Sequence, residues 1–322
     1  MPRALVTGGG GFVGQWLSRA LLREGWDVTA TTMTDVPEPA TLTAAELASI
    51  TWRGIDLRAG ADRRSLFGLI EHERPDAIFH LAAISFVPAA GNDPMRALDT
   101  NVGATVRLVE SMRQLRDAAN LDPVLLVVGS AEQYGRHEAS DMPLTERHEC
   151  RPRTFYAATK MAQEQFALAA ARADGLRVIA TRSFNHSGVG QAPQFLLPAL
   201  VARAVAARRA PGSPVTIGNT GTVREFLHVE DVAGAYIALV ARGQTGEVYN
   251  VCGGEGVSVG ALAGEVLARV GASGPLIPDA ALQRAVDVPY LVGDNSKLRA
   301  DTGWRPARSR TDLIDDLLNA AT

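Results

Sequence analysis

Tyr156 and Lys160 stand four residues apart in Tyr-Ala-Ala-Thr-Lys, within a stretch over 154–172 whose apolar spacing predicts a helix. Four residues is about one helical turn, so the two side chains share a face. A phenol with a pKa of about 10 is a poor acid or base at neutral pH. A neighbouring ammonium favours the phenolate and is expected to lower that value. Such a pair can pass a proton to or from an alcohol oxygen while a hydride moves to or from a nicotinamide. Ser130 and Glu132 follow an apolar run over 124–128 in Gly129-Ser130-Ala131-Glu132-Gln133-Tyr134-Gly135. The hydroxyl there can hydrogen-bond the reacting oxygen. The carboxylate can serve as a base at an acidic C–H or bind a sugar hydroxyl. Taken singly, each has a plainer reading: a solvated helix face with a packed Tyr, and an exposed loop acid.

A proton shuttle of this kind needs a redox partner, and the N-terminus supplies a place for one. Thr7-Gly8-Gly9-Gly10-Gly11-Phe12-Val13-Gly14 follows a short apolar run over 3–7 and precedes helix-spaced apolar residues over 12–24. Glycines between a strand and a helix allow a tight turn and close approach of backbone to a pyrophosphate. The helix N-terminus adds unpaired N–H groups. The spacing is Gly-x-x-Gly-x-x-Gly, not the G-x-G-x-x-G of ordinary dinucleotide-binding folds, and the alternative is a plain strand–helix turn. The second strand, over 27–32, ends in hydroxyls (Thr31, Thr32) with no Arg; Asp35 lies a little further on. This favours NADP(H) over NAD(H), whose ribose diol usually meets a carboxylate here. Asp56 and Leu57, after a third strand over 50–55, are placed to meet adenine, unless Asp56 only caps the next helix.

These residues need a scaffold. Further strands are expected over 76–80, 124–128 and 177–182, and helices over 63–72 and 94–116. This alternation predicts an α/β fold, a doubly wound parallel sheet covered on both faces. Past residue 183 Pro and Gly become frequent. Helices over 195–209, 229–241, 259–270 and 311–320 then alternate with strands over 214–217 and 247–251. The expected organisation is a dinucleotide-binding Rossmann domain over 1–183 and a smaller α/β substrate lobe over 184–322, with segments of about 214–242 returning to the sheet. The 322 residues carry a net charge of −3, with 46% hydrophobic and 21% charged residues. That excludes wholesale disorder and argues against a nucleic-acid partner. Two cysteines, Cys150 and Cys252, build neither a disulfide framework nor a metal site. No apolar run reaches membrane-spanning length and no secretory signal is visible, so a cytoplasmic location is expected. His80, Trp16, Trp52 and Trp304 read as packing residues, and Arg208-Arg209 as a solvated helix end.

In this combination the motifs resemble the extended short-chain dehydrogenases/reductases that act on nucleotide sugars. The resemblance rests on TGGGGFVG (7–14), Asp56-Leu57, HLAA (80–83), Asn101, GSAEQYG (129–135), YAATK (156–160), RSFNHSGVGQ (182–191), VREFLHVEDV (223–232) and YNVCGG (249–254), and it spans essentially the whole chain. Phe184-Asn185-His186 and the run Arg284…Asp287-Val288-Pro289…Gly293 are most similar to the GDP-mannose branch.

The resemblance implies a role for each matching position. Gly8, Gly11, Phe12, Val13, Gly14, Thr32, Asp56, Leu57, Leu81, Ala82, Ala83 and Asn101 would bind the cofactor together with Tyr156 and Lys160. Tyr156 would be the acid/base, Lys160 its tuner and the holder of the nicotinamide ribose, and Ser130 the group that polarises the C4 oxygen. Ser85, Glu132 and Asn185 would face the sugar nucleotide. Arg224 and Arg284 would neutralise its diphosphate, and Asp287 would accept from its ribose. A homodimer is expected through the helices over 94–116 and 154–172. Related dehydratases carry Thr-Ser-Glu where this chain has Ser130-Ala131-Glu132, and a Gln-Asp pair in the glycine loop. Their absence favours a reductase that moves hydride from NAD(P)H to the C4 keto group of a nucleotide-activated 4-keto-6-deoxyhexose. GDP-4-dehydro-6-deoxy-D-mannose, going to GDP-D-rhamnose, is the favoured substrate. The alternatives are a dehydratase or epimerase with an internally recycled cofactor and Glu132 as base at C5, and a non-catalytic dinucleotide sensor. Joint retention of Ser130, Tyr156 and Lys160 argues against the sensor.

Overall fold

The structure, a computed structural model, describes residues 1–33, 41–58, 63–283 and 287–321, with backbone alone for 63–65. Seven parallel strands form the central sheet. Along the chain β1 is Arg3–Thr7, β2 Asp27–Thr32, β3 Thr51–Gly54, β4 Ala77–His80, β5 Val124–Ser130 and β6 Val178–Ser183; Val248–Val251 is the seventh. Their lateral order is seventh, β6, β5, β4, β1, β2, β3. The winding reverses between β1 and β4, which leaves a crevice at the carboxyl edge.

Alternate residues feed two cores, as a pleated strand requires. Ala4, Val6, Phe79 and Leu126 pack with Leu17 and Leu21 of helix α1 (Phe12–Arg23) and with Val232, Tyr236 and Leu239 of helix Val229–Arg242. Leu5, Ile78, Leu125 and Val127 face the other way, onto Ile70, Leu108, Met112, Leu115 and Ala167. Burying one such large apolar side chain contributes about 1.5–3 kcal/mol, so the sheet is held by its faces. His80 is buried between the hydroxyls of Thr7 (2.7 Å) and Thr105 (3.0 Å), and burial lowers its pKa to about 3. It is a neutral packing residue. The indoles of Trp16, Trp52 and Trp304 donate to the carbonyls of Val189, Leu47 and Asp231.

The helix expected over 94–116 is interrupted. Pro94–Leu98 leads into a π turn, Asp99–Gly103, before Ala104–Ala119. The wider turn puts the Asn101 side chain inside, where its Oδ1 accepts from Ile84 N (2.8 Å) and its Nδ2 donates to Thr159 Oγ1 (2.9 Å). β5 runs on to Ser130, two residues beyond the apolar run, and the short helix Val87–Asn92 has no counterpart in the expected pattern.

A second layer packs helices Leu196–Arg209, Val259–Val270 and Arg310–Ala321 around strand Val215–Ile217, which pairs with Leu276–Pro278. Of the segments expected to return to the sheet, Val229–Arg242 packs on α1, whereas Val215–Ile217 stays in this layer. Strand Val223–Arg224 lies between Val257–Ser258 and Tyr290–Leu291. The next residue, Glu225, is buried and accepts from the amides of Gly254 (3.0 Å), Gly293 (2.7 Å) and Gly253; burial still raises its pKa to about 7. Both cysteines are free thiols. Among the described residues no helix is long and apolar enough to cross a membrane.

Candidate active site

β1 delivers the chain into the glycine turn at the crevice. Gly8 has φ +71°, and a Cβ there would come 2.8 Å from the Ala82 backbone. A Cβ on Gly14 would lie 2.5 Å from Gly8 O. Both positions therefore need glycine on steric grounds. Gly11 caps α1 without any side-chain hydrogen bond, and the first turn holds no acidic residue. Its amides face a cleft of about 730 Å³, a size suited to a cofactor and substrate together.

The cleft brings nearly all the sequence-predicted residues together. At one end stand Gly8, Gly11, Phe12, Val13, Gly14, Thr32, Asp56 and Leu57; in the middle Leu81, Ala82, Ala83, Ser130, Glu132, Tyr156 and Lys160; beyond them Ser85, Asn185, Arg224 and Asp287. Asn101 is the exception. It does not line the cleft, because its carboxamide is spent on Ile84 and Thr159, so the expected contact with cofactor is corrected to one that ties the β4 loop to the Tyr156 helix. Arg284, like Asp35, lies outside the described residues. A slot between glycine backbone and α1, walled by Leu57, Leu81 and Ala82, fits a dinucleotide.

At the glycine end of the cleft Thr31 Oγ1 accepts from Gly8 N (3.2 Å) and so braces the turn. Asp56 takes a two-pronged hydrogen bond from Arg58, which holds its carboxyl below the usual range. Arg96 also lines the cleft and acts on Asp56 through its charge.

In the middle, Ser130 ends β5 and Tyr156 opens helix Phe155–Asp174, capped by Thr154, whose Oγ1 accepts from Ala157 N (3.1 Å). Tyr156 is 7% exposed and packs in a cluster with Ile84, Val87, Ala90 and Ala97. Its pKa is raised to about 12, chiefly by burial; a hydrogen bond with Ser130 lowers it and the charge of Glu132 raises it. The expected lowering by Lys160 is therefore not what governs the phenol in the chain alone: desolvation of the phenolate dominates, and what lowering there is comes from Ser130. Lys160 is itself desolvated, and burial lowers its pKa to about 7. Its Nζ donates to Val128 O and to Gln163 Oε1, both at 2.8 Å.

Glu132 sits on a 3₁₀ turn, Ala131–Tyr134. Ser130 N donates to Gln133 Oε1 (2.9 Å) and Glu132 N to Ser130 Oγ (3.3 Å). Gln133 Nε2 in turn donates to Glu164 Oε2 (2.8 Å), and Glu164 forms a buried ion pair with Arg182 at 2.7 Å. Arg182 lies 4.8 Å over the Tyr134 ring. The serine turn and the Tyr156 helix are thus joined by one polar network.

At the far end Arg224 Nη2 pairs with Asp287 Oδ1 at 2.8 Å. The two expected ligand-binding residues orient each other. Arg203, from helix Leu196–Arg209, and the edge-to-face pair Phe86–Phe195 also line the cleft. Sequence reasoning missed them because no local motif marks them. Ser183 lines the cleft as well, in register with Ser130 on the adjacent strand and bonded to Tyr236 Oη at 2.8 Å; the one signal for it is its place just past the expected strand over 177–182.

The same geometry recurs in known proteins. A protein-family model described as GDP-mannose 4,6 dehydratase matches residues 5–317. GDP-6-deoxy-D-mannose reductase of Pseudomonas aeruginosa is 33% identical over 237 residues, 73% of this chain and 76% of that protein. dTDP-glucose 4,6-dehydratase of Neisseria meningitidis is 30% identical over 325 residues, 95% of this chain and 89% of that protein. The structure of RMD from Pseudomonas aeruginosa complexed with NADPH superposes with a TM-score of 0.82 at 27% identity, covering 100% of this chain and 99% of that one. The chain belongs to the GDP-mannose 4,6-dehydratase family of NAD(P)-dependent extended short-chain dehydrogenases/reductases.

Proposed function

We propose that the chain is a reductase acting on the C4 keto group of a nucleotide-activated 4-keto-6-deoxyhexose, with GDP-4-dehydro-6-deoxy-D-mannose going to GDP-D-rhamnose. The observation that carries this reading is the meeting of Ser130, Tyr156 and Lys160 in one cleft, with Tyr156 hydrogen-bonded to Ser130. The phenol is protonated at neutral pH and can give that proton to a ketone oxygen as it is reduced. A reduced nicotinamide, when bound, supplies the hydride. Tyr156 gives its proton to O4, and Ser130 donates a hydrogen bond to the same oxygen as charge develops. Lys160 holds the nicotinamide ribose. Gly8, Gly11, Phe12, Val13 and Gly14 take the pyrophosphate, Thr32, Asp56 and Leu57 the adenosine, and Leu81, Ala82 and Ala83 the nicotinamide side. Ser85, Glu132 and Asn185 face the hexose. Arg224, oriented by Asp287, and Arg203 neutralise its diphosphate, for which planar guanidinium groups are suited.

NADP(H) is the favoured cofactor. Arg58 and Arg96 gather at the adenosine end, and guanidinium groups suit a 2′-phosphate. The NADPH complex of RMD from Pseudomonas aeruginosa supports the same choice. One NADPH consumed per keto sugar, with a higher kcat/KM than for NADH, is the expected result. The rival reading is a dehydratase, favoured by the carboxylate of Glu132 within the cleft. Conversion of a GDP-hexose with no net change in cofactor would establish it and remove the reductase.

The working unit is proposed to be a homodimer. Phe155, Phe166 and Val106, on helices Phe155–Asp174 and Ala104–Ala119, are 60%, 53% and 37% exposed. Covering them offsets that exposure. Light scattering should give twice the chain mass for the parent protein and a single chain for Phe166→Glu.

A further inference from the structure

The buried carboxamide of Gln163 is one turn beyond the cleft and does not line it. It is fully buried, and its Oε1 lies 2.8 Å from Lys160 Nζ, which is 3% exposed. Its Nε2 is buried and has no hydrogen-bond partner among the described residues. Leaving a buried donor unpaired is costly, and native structures seldom tolerate it without a reason. Turning the amide over would not help, since an NH₂ would then face an ammonium. The orientation is therefore fixed by the charge of Lys160, and the orphaned donor is the cost of keeping an oxygen on it.

We infer that Gln163 is a positioning residue: it holds Lys160 in its charged form and fixes the ammonium at the cleft floor. The inference rests on the reading of Lys160 as a cofactor-site residue. Among the described residues two acceptors meet the ammonium, Val128 O and Gln163 Oε1, and the first is backbone. Gln163 is thus the side chain through which the sequence can adjust the charge state of Lys160, whose burial has brought it close to neutrality. His80 on β4 feels the charge of Lys160. On the lysine's own helix and the elements packed against it, the described titratable groups nearest in the fold are Tyr156 and Glu164, Glu132 on the 3₁₀ turn and Arg182 on β6. His80 is kept neutral by burial, and Glu164 is engaged by Arg182 and Gln133.

The sequence provides a direct readout, because it contains two lysines, Lys160 and Lys297. Protein isotopically labelled at lysine Cε gives two titrating signals, and Lys297→Arg assigns them. Gln163→Leu should lower the Lys160 midpoint by about one pH unit, since a charge-assisted acceptor is lost. Gln163→Glu should raise it, since an anion takes the same place. Opposite shifts in the two variants support the inference. Midpoints that stay put, or that move together, overturn it, because a purely packing role alters melting without following the charge of the replacement. The pH profile of kcat/KM adds a separate test. The limb that reports loss of the ammonium should follow the spectroscopic midpoint in both variants. Opposite midpoints with an unmoved limb leave Gln163 in its role and count instead against the assignment of Lys160 to catalysis.

Discussion

Tyr156→Phe is expected to lower kcat by about 10²–10⁴-fold, the range lost when a positioned proton donor is removed. The replacement keeps the ring that packs among Ile84, Val87, Ala90 and Ala97, so the fold and the affinity for NADPH should not change. It removes the one group that can give a proton to O4 where Ser130 meets it. A second donor does not compensate, because an aliphatic hydroxyl such as that of Ser130 leaves an alkoxide with no ring to spread its charge, and Ser130 Oγ is also the acceptor for Glu132 N. Single-turnover measurement with saturating cofactor isolates the step. Retention of turnover within about tenfold of the parent would sink the assignment of Tyr156 as the acid, whatever the substrate proves to be.

The second large effect concerns stability. Glu164→Gln should cost about 3–5 kcal/mol, because it leaves the Arg182 guanidinium buried and unneutralised. The side chains of the pair are 1% and 8% exposed, so water cannot take the missing role. The Gln133 amide also loses a charged acceptor. For a chain of this size the thermal midpoint should fall on the order of 10 °C. A double replacement, Glu164→Leu with Arg182→Met, should recover most of the loss, since an apolar pair of similar volume avoids the desolvation of both charges. A single variant that melts with the parent would show that solvent reaches Arg182 after all.

Much of the scaffold was legible because it is local. The runs at 3–7, 76–80 and 124–128 are short and alternate with helix-spaced stretches, the last too apolar for an exposed edge, and the glycines at 8, 11 and 14 follow a strand and open a helix. The pairing of Tyr156 with Lys160 needs only the pitch of a helix. What could not be read depends on residues distant in sequence. The π turn exists because Asn101 finds Ile84 and Thr159, neither of which its own segment reveals. Gln133, Glu164 and Arg182 meet across three elements. The pKa of Tyr156 departs from the expectation for the same reason: the ammonium is visible at four residues' spacing, whereas the burial that sets the value belongs to the tertiary fold. Arg203 and Phe195 reach the cleft from a helix whose pattern speaks only of its buried face.

The route of the backbone between the two layers has a practical meaning. After β6 the chain builds part of the upper layer, descends as Val229–Arg242 and the seventh strand, climbs again through Val257–Ser258 and Val259–Val270, returns as Ser296–Thr302 against Val229–Arg242, and ends above in Arg310–Ala321. The ligand-facing layer is therefore not a contiguous block. A polypeptide stopped at residue 183 would leave β6 without its neighbour and bare a row of amides and carbonyls to other chains. Exchanging substrate preference with a relative by transplanting one C-terminal cassette would carry off a strand of the sheet as well. A workable graft must be made in several pieces, each returned to the crossing from which it rises.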